Sequence, residues 1–264
     1  MFELVRLPGG KPMEPGSLFS PGRPALIVPL TGTNQVELRG QISRIPQAAD
    51  LVEWRLDLLR EYHNPAYLRE IVEAVAPVIK LPWLATCRSK HQGGGSQMVP
   101  THQFETMKML VKAGASALDI EDDFSLATEA LAYAHDLGVV SVLSRHYFAA
   151  AEAEKMDRES IYNWLAAAHE RGAQVAKLAL TITSTQHLLA VFTAMENYYR
   201  DTAGKRPFLV AGMGPLGTAS RLVGGVFGNC ATFAVLPGAE PSAPGQVTAA
   251  LQAEVLSALG KEES

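Results

Sequence analysis

Cysteine is scarce in this sequence, and long apolar runs are missing. Two cysteines, Cys87 and Cys230, in 264 residues exclude a disulfide framework and a cysteine-based metal cluster. No apolar run is long enough to span a bilayer. Residues 1–23 are rich in proline and glycine and lack the apolar core of a signal peptide. We therefore predict a cytoplasmic protein with no membrane association and no metal.

Concentrated positive charge is also missing. The chain has 23 Lys and Arg residues against 27 Asp and Glu residues, which gives a net charge of −4, and no basic stretch stands out. Proteins that bind nucleic acid need a basic face, so we predict that nucleic acid is not a partner. The 47% content of hydrophobic residues instead supports a large core.

Eight apolar segments, each followed by a helix or helix-like stretch, run through the chain from residue 25. The predicted strands are 25–30, 50–57, 83–88, 117–121, 139–144, 172–181, 208–213 and 230–235. Eight such alternations are typical of a single-domain α/β fold, the (β/α)8 TIM barrel. A doubly wound sheet should carry a glycine fingerprint after an early strand, and here only Thr31-Gly32-Thr33 follows the first. We predict that residues 1–24 form a lead-in or barrel cap and that 25–264 form the catalytic barrel.

One predicted strand carries a lysine at its centre. Residues 172–181 are nearly all apolar, as in a central strand of a parallel sheet, yet they include Lys177. A buried ammonium is unfavourable unless it is paired or loses its proton. A neutral lysine amine is a nucleophile that forms Schiff bases with carbonyl compounds. Taken alone, such a lysine is more often an ion-paired or strand-end residue, so the other strands decide its interpretation.

Polar residues collect at the ends of the other predicted strands, where TIM barrels carry their chemistry. They are Glu53, Arg55, Asp57, Thr86, Arg88, Asp119, Glu121 and His146, followed by Arg221, Ser242 and Gln246 in later loops and helices. Singly, each has a structural explanation: Glu53 with Arg55 as an ion pair, Asp119 as a supporting residue, Arg221 as an exposed helix charge. Together they predict a site for an anionic carbonyl compound, because lysine, histidine and three arginines would surround it.

These residues fall in segments that resemble type I 3-dehydroquinate dehydratase. The resemblance runs in order from about Ile27 to Leu259. The matching segments are 51–57 (LVEWRLD), 85–89 (ATCRS) with Gly93-Gly94, 118–121 (LDIE), 144–146 (SRH), 176–179 (AKLA), 213–214 (MG), 220–222 (SRL), 227–228 (FG) and 242–246 (SAPGQ).

The resemblance implies the dehydration of 3-dehydroquinate to 3-dehydroshikimate, without a cofactor, in either shikimate biosynthesis or quinate breakdown. It implies that Lys177 forms the Schiff base and that His146 is the general acid and base. Six further residues are implied to bind the substrate: Glu53, Arg55 and Arg88 at its hydroxyls, Arg221 at its carboxylate, and Ser242 and Gln246 from a mobile loop. The implied partner is thus an anionic cyclic hydroxy-keto acid, and the implied assembly is a homodimer.

The chain departs from the family pattern at three places. Gln92 stands where some members carry a glutamate near the histidine, Pro29 stands where some carry a serine, and residues 237–240 lengthen the loop before Ser242. We expect Gln92 still to position His146, but without favouring the imidazolium by charge.

Two other functions remain open at this point. A Schiff-base aldolase would cleave a C–C bond rather than a C–O bond; Arg221 and the segment 242–246 argue against it, because they fit a carboxylate substrate. A barrel that only binds sugar acids would require Lys177 and His146 to be inert.

Overall fold

The computed structural model describes residues 18–19 and 24–260, in which eight strands alternate with helices. The strands are β1 (Ala25–Leu30), β2 (Leu51–Arg55), β3 (Trp83–Thr86), β4 (Ala117–Glu121), β5 (Val140–Tyr147), β6 (Val175–Thr181), β7 (Phe208–Met213) and β8 (Ala231–Phe233). The helices are α1 (Gln35–Ile42), α2 (Pro65–Val75), α3 (Pro100–Lys112), α4 (Ala127–Asp136), α5 (Ala150–Ala153), α6 (Arg158–Glu170), α7 (Thr185–Asp201), α8 (Thr218–Val223) and α9 (Ala249–Leu259).

The eight strands form a nearly closed parallel barrel. They hydrogen-bond in the order β7-β6-β5-β4-β3-β2-β1-β8, and β7 meets β8 at a bridge between Phe208 and Asn229. The Asn229 side chain accepts from the Val210 N–H at 2.8 Å and donates to the Val210 carbonyl at 3.0 Å. An amide side chain therefore supplies ladder bonds that the short β8 does not. The predicted single-domain (β/α)8 fold is confirmed.

Several strand boundaries differ from the prediction, and the ends of β2 and β5 each change the position of a polar residue. The chain leaves the strand conformation after Arg55 and makes a tight turn over Leu56–Leu58, so Asp57 does not extend β2 as predicted. Strand β5 instead continues through His146, because its pairing with β6 runs on to Tyr147. Helix α9 begins at Ala249, behind a Thr248 cap, which leaves Gln246 in the preceding loop.

Side-chain alternation along the strands separates two cores. Alternate residues of β6 pack outward under the helices, namely Ala176, Leu178 and Leu180. Val175 faces the lumen in an apolar lower layer, and Lys177 follows two residues later on the same face. The barrel thus has an apolar floor and places the polar residues of its strands above that floor.

Phe19 is buried in the same lower layer as Ile27, Leu51 and Leu84. The predicted cap over residues 1–24 otherwise falls almost entirely outside the described residues, and it stays a prediction. Among the helices at 24–260, none combines the length and apolar character that a membrane crossing requires.

Helix α8 rests directly on the end of β7, and a glycine makes this contact possible. A Cβ at Gly217 would lie 2.5 Å from the Met213 nitrogen and 2.6 Å from its carbonyl oxygen. The Ser220 hydroxyl accepts from the Gly212 N–H at 2.8 Å, which fixes the same contact. The position of Arg221, one residue further along α8, therefore depends on a backbone approach that excludes any side chain at residue 217.

We predict that Gly217→Ala lowers the free energy of unfolding by about 1–3 kcal/mol, because the methyl group pushes α8 away from β7. Gly40→Ala is the matched control: it lies inside α1 with no atom near the added methyl group. Alanine has a higher helix propensity than glycine, so Gly40→Ala should raise the free energy of unfolding by about 0.5–1 kcal/mol. Urea unfolding of both variants tests this, and equal stabilities would contradict the close packing at Gly217.

Candidate active site

The structure brings the sequence-predicted site residues together around one cavity at the carboxyl ends of the strands. All eight line it: Lys177, His146, Glu53, Arg55, Arg88, Arg221, Ser242 and Gln246. Three apolar side chains that the sequence analysis did not assign to the site, Ala179, Ala211 and Met213, form a patch on its wall. The period-two alternation of side chains along β6 and β7 could have identified them from the sequence. Each lies an even number of residues from a neighbour on the same strand that faces the lumen.

Lys177 is buried in the lumen with its ammonium group between two carboxylates. Its Nζ lies 2.7 Å from Asp119 Oδ2 and 3.6 Å from Glu53 Oε1. The Phe233 ring lies below, with Nζ 4.7 Å from the ring centroid, so a cation–π contact adds to the ion pairs. The buried charge is thereby compensated, and the amine is held at the cavity.

Arg88 shares the Asp119 carboxylate with Lys177. Its guanidinium lies 2.7 Å from Asp119 Oδ1 and 2.9 Å from both Glu121 Oε1 and the Ser144 hydroxyl. Burial alone would raise the pKa of Asp119, but the charges of Arg88 and Lys177 outweigh it and hold that pKa well below its usual range. Asp119 supports the site, as predicted, and it does so as the anion that joins its two central cations.

Arg55 and Glu53 do not pair with each other. Arg55 donates two hydrogen bonds to Asp57, at 2.8 and 2.7 Å. Glu53 accepts from the Thr86 hydroxyl at 2.9 Å and faces Lys177. The suggested Glu53–Arg55 ion pair is therefore wrong: the turn after β2 folds Asp57 back onto Arg55.

His146 projects from β5 into the cavity. Its Nδ1 lies 3.0 Å from Gln92 Oε1, which also accepts from the His146 backbone N–H at 3.1 Å. The imidazole stacks on Phe148 with an interplanar angle of 14°. Burial, together with the charges of Arg88 and Lys177, lowers the pKa of His146 well below its usual value. His146 is therefore a neutral imidazole near pH 7.

Arg221 differs from the other cations of the site because no acidic side chain pairs with it among residues 24–260. It is buried, which excludes an exposed helix charge, and its Nε donates to the Gly212 carbonyl at 2.7 Å. Burial lowers its pKa to about 10. A buried guanidinium that lacks a counter-ion and lines a cavity is suited to bind an anionic ligand.

Ser242 and Gln246 lie in the loop between β8 and α9 and hydrogen-bond to each other. The Ser242 N–H donates to Gln246 Oε1 at 3.0 Å, and Gln246 Nε2 donates to the Ser242 hydroxyl at 3.0 Å. The Thr218 hydroxyl donates to the Gly245 carbonyl at 3.2 Å, which attaches this loop to the start of α8. The loop thus brings two polar side chains to the cavity that contains Arg221.

One group of side chains has the spacing of a metal site. His91, Glu121 and Asp123 bring ligand atoms within 4.8 Å of one another. Both carboxylates already contact guanidinium groups, Glu121 that of Arg88 and Asp123 that of Arg145 at 2.8 Å. Both carboxylates of this cluster therefore already have cationic partners, and the cluster does not fit a metal ion.

The comparisons with known proteins agree with this geometry. A family model described as type I 3-dehydroquinase matches residues 26–263. The chain belongs to this family. The membership confirms the predicted enzyme class, type I 3-dehydroquinate dehydratase, and gives no support to an aldolase or a non-catalytic barrel.

Curated relatives of this family span nearly the whole chain. The 3-dehydroquinate dehydratase of Lactiplantibacillus plantarum is 34% identical over 232 residues, which cover 85% of this chain and 88% of the relative. That of Syntrophotalea carbinolica is 31% identical over 247 residues, with 92% and 95% covered.

Solved structures of the type I 3-dehydroquinase family share the fold. The Clostridium difficile type I 3-dehydroquinate dehydratase, solved with covalently modified comenic acid, superimposes with a TM-score of 0.81 at 26% identity, covering 90% of this chain and 93% of that one. The Geobacillus kaustophilus 3-dehydroquinate dehydratase also gives 0.81, at 25% identity, with 91% and 93% covered.

Arg88 and Arg221 are both buried but differ in their ion pairing, which predicts effects of different size on stability. Arg88→Met should lower the free energy of unfolding by about 3–5 kcal/mol, because it leaves Asp119 and Glu121 buried without their partner. Arg221→Met should change it by less than about 1 kcal/mol, because the loss of one hydrogen bond to Gly212 is offset by removal of an unpaired buried charge. Urea unfolding without ligand measures both variants. An equal loss of stability would contradict the assignment of Arg221 as a cation kept for a ligand.

Proposed function

We propose that this chain converts 3-dehydroquinate to 3-dehydroshikimate through an imine on Lys177, with His146 as the proton-transfer group. The observation that carries the proposal is one cavity that holds a lysine amine, a neutral imidazole and the unpaired guanidinium of Arg221. The substrate has three matching features: a ketone, an acidic proton next to it and a carboxylate. Family membership supports the same reaction.

The first step is addition of the Lys177 amine to the substrate ketone. The amine must first lose the proton that its ion pairs with Asp119 at 2.7 Å and Glu53 at 3.6 Å stabilise. The carbonyl oxygen then leaves as water, and a protonated imine joins Nζ to C3. This cation withdraws electrons from the adjacent C2–H bond and acidifies it.

The second step is elimination across C1 and C2, in which His146 first accepts a proton and then donates it. Its free Nε2 removes the C2 proton, and the electron pair moves to the imine nitrogen to form an enamine. The enamine expels the C1 hydroxyl, which leaves as water with the proton from His146. The lowered pKa of His146 makes the imidazolium a strong acid for this departure. Water finally hydrolyses the conjugated imine, which releases the enone product and Lys177.

Binding orients the substrate for these steps. The carboxylate would pair with Arg221, and the hydroxyls would contact Glu53, Arg55 and Arg88. Ser242 and Gln246 would exchange their mutual hydrogen bonds for bonds to the ligand. The loop that carries them would then cover the cavity and limit early hydrolysis of the imine.

The remaining parts of this proposal rest on weaker grounds than the site. A homodimer is proposed on family resemblance and a cytoplasmic location on sequence composition, and the reaction serves shikimate biosynthesis or quinate breakdown equally. An assay for the conjugated enone product separates this dehydration from an aldol cleavage, which would release two carbonyl fragments.

Lys177→Ala should abolish turnover and the covalent adduct, because Lys177 is the one lysine among residues 24–260 that lines the cavity. The measurement is borohydride reduction in the presence of 3-dehydroquinate, followed by mass spectrometry of peptides. Lys155→Ala, which removes an exposed lysine, is the matched control and should keep both adduct and turnover. An adduct on a lysine other than Lys177 would refute the assignment.

His146→Ala should still form the borohydride-trapped adduct but lose about 10²–10⁴-fold in kcat, which is the usual contribution of a general acid or base. The separation arises because His146 transfers protons and does not attach the substrate. Single-turnover product formation measures the loss, with the exposed His135→Ala as the control histidine. Near-normal turnover of His146→Ala would rule out its role.

A further inference from the structure

Three neighbouring strand ends are joined by a side-chain relay that starts at His146 and leaves the cavity. Gln92, in the turn after β3, accepts from His146 through Oε1 and donates to Asp123 Oδ1 through Nε2 at 2.7 Å. Asp123 follows β4 and does not line the cavity. Among the described residues, the side chain that hydrogen-bonds to both Asp123 and His146 is that of Gln92.

Donor and acceptor chemistry gives this relay a direction. An ionised carboxylate only accepts hydrogen bonds, so the Gln92 group that faces Asp123 must be its NH₂. The Gln92 oxygen must then face His146, where it only accepts. The Nδ1 atom at 3.0 Å must therefore carry the imidazole proton, which leaves Nε2 without one. A carboxylate outside the cavity thus fixes which nitrogen of His146 is basic.

Asp123 is itself held in place by its surroundings. Its Oδ2 atom lies 2.8 Å from Arg145 Nη1 and 3.0 Å from His91 Nε2. Burial would raise its pKa, but hydrogen bonds from His91 and Gln92 and the charge of Arg145 outweigh it and lower the pKa. Asp123 therefore remains an acceptor at neutral pH, as the relay requires.

We propose that Asp123 is a positioning residue, which acts through the Gln92 amide to hold His146 in the Nδ1–H tautomer with Nε2 facing the substrate. The inference rests on the proposed function only where it assigns proton transfer to Nε2. The tautomer itself follows from the hydrogen bonds of His146 and Gln92. The relay orients His146 by geometry and keeps the negative charge one residue away from it.

The other charged groups that face His146 do not replace this relay. Arg88 and Arg55 approach from the ends of β3 and β2 and Lys177 from within β6, and all three disfavour the imidazolium. Asp119 on β4 favours the imidazolium, but this carboxylate is ion-paired with Lys177 and Arg88. Of the contacts described for the His146 ring nitrogens, the one to Gln92 is the hydrogen bond that selects a tautomer.

The first test is the tautomer in the wild-type protein, which requires no activity. Histidine ring ¹⁵N spectra distinguish Nδ1–H from Nε2–H, and the absence of one signal set in His146→Ala assigns the residue. We expect the Nδ1–H form at neutral pH. An Nε2–H form in the wild type would overturn the proposal whatever the kinetics show.

The second test compares Asp123→Ala with Asp122→Ala. Asp122 also pairs with Arg145, at 3.0 Å, and accepts from the Trp164 indole, but it does not contact Gln92. Asp123→Ala should give a mixture of the two His146 tautomers. It should lower kcat about tenfold, which is less than the loss of a general base would cause, and should change KM by no more than about twofold. Asp122→Ala should keep the tautomer and kcat. Equal losses in both variants, or an unchanged tautomer in Asp123→Ala, would overturn the proposal.

Asp123→Asn should recover most of the loss, since its amide oxygen still accepts from Gln92. The double variant Gln92→Glu with Asp123→Asn is the sharper probe, because it moves the carboxylate next to His146 at constant net charge. Its Nδ1–H tautomer should persist while the titration midpoint of His146 moves up by about 1–3 pH units. An unmoved midpoint would contradict the relay. Activity that survives in His146→Ala would instead refute the proposed catalysis and leave these spectra unaffected.

Discussion

The ion pair between Lys177 and Asp119 is the constraint on which the rest of the site depends. A lysine in the lumen is tolerated only when its charge is compensated, and Asp119 is two strands away from β6. Asp119 can reach it because both residues face the lumen of a closed barrel, above an apolar floor. An open sheet with both faces covered by helices would leave neither residue a shared polar space. The buried lysine therefore requires the closed topology.

Cationic and anionic side chains are equal in number around this pair, but they are not evenly distributed. Four cations, Lys177, Arg55, Arg88 and Arg221, accompany four carboxylates, Glu53, Asp57, Asp119 and Glu121. All four carboxylates contact the first three cations or their immediate neighbours, which leaves Arg221 supported by a backbone carbonyl. A carboxylate ligand completes the pairing without breaking an existing one. The proposed recognition of the acid group would thus follow from the absence of a carboxylate partner for Arg221 among the described residues.

Much of this arrangement could be predicted from the sequence, because the information is local. Period-two alternation along β6 puts Lys177 on a lumen face, and eight strand–helix units imply that such faces converge. The partners of each charge could not be predicted, since they depend on turns and on strand register. Arg55 pairs with Asp57 because the chain turns after β2, and His146 belongs to β5 because that strand pairs with β6 as far as Tyr147.

The neutral amide at Gln92 is consistent with the rest of the electrostatics. A carboxylate at that position would add a negative charge beside His146 in a cavity that must admit an anion, and it would lie against Asp123. The amide avoids both repulsions and still orients the ring, since orientation requires only an acceptor at the correct place. Its neutrality also leaves the pKa of His146 low, set by burial and by the charges of Arg88 and Lys177. In the proposed mechanism the low pKa makes His146 a weaker base for removing the C2 proton and a stronger acid for expelling the hydroxyl. The weaker base is the smaller loss in that mechanism, because the proposed protonated imine would already have acidified the C–H bond.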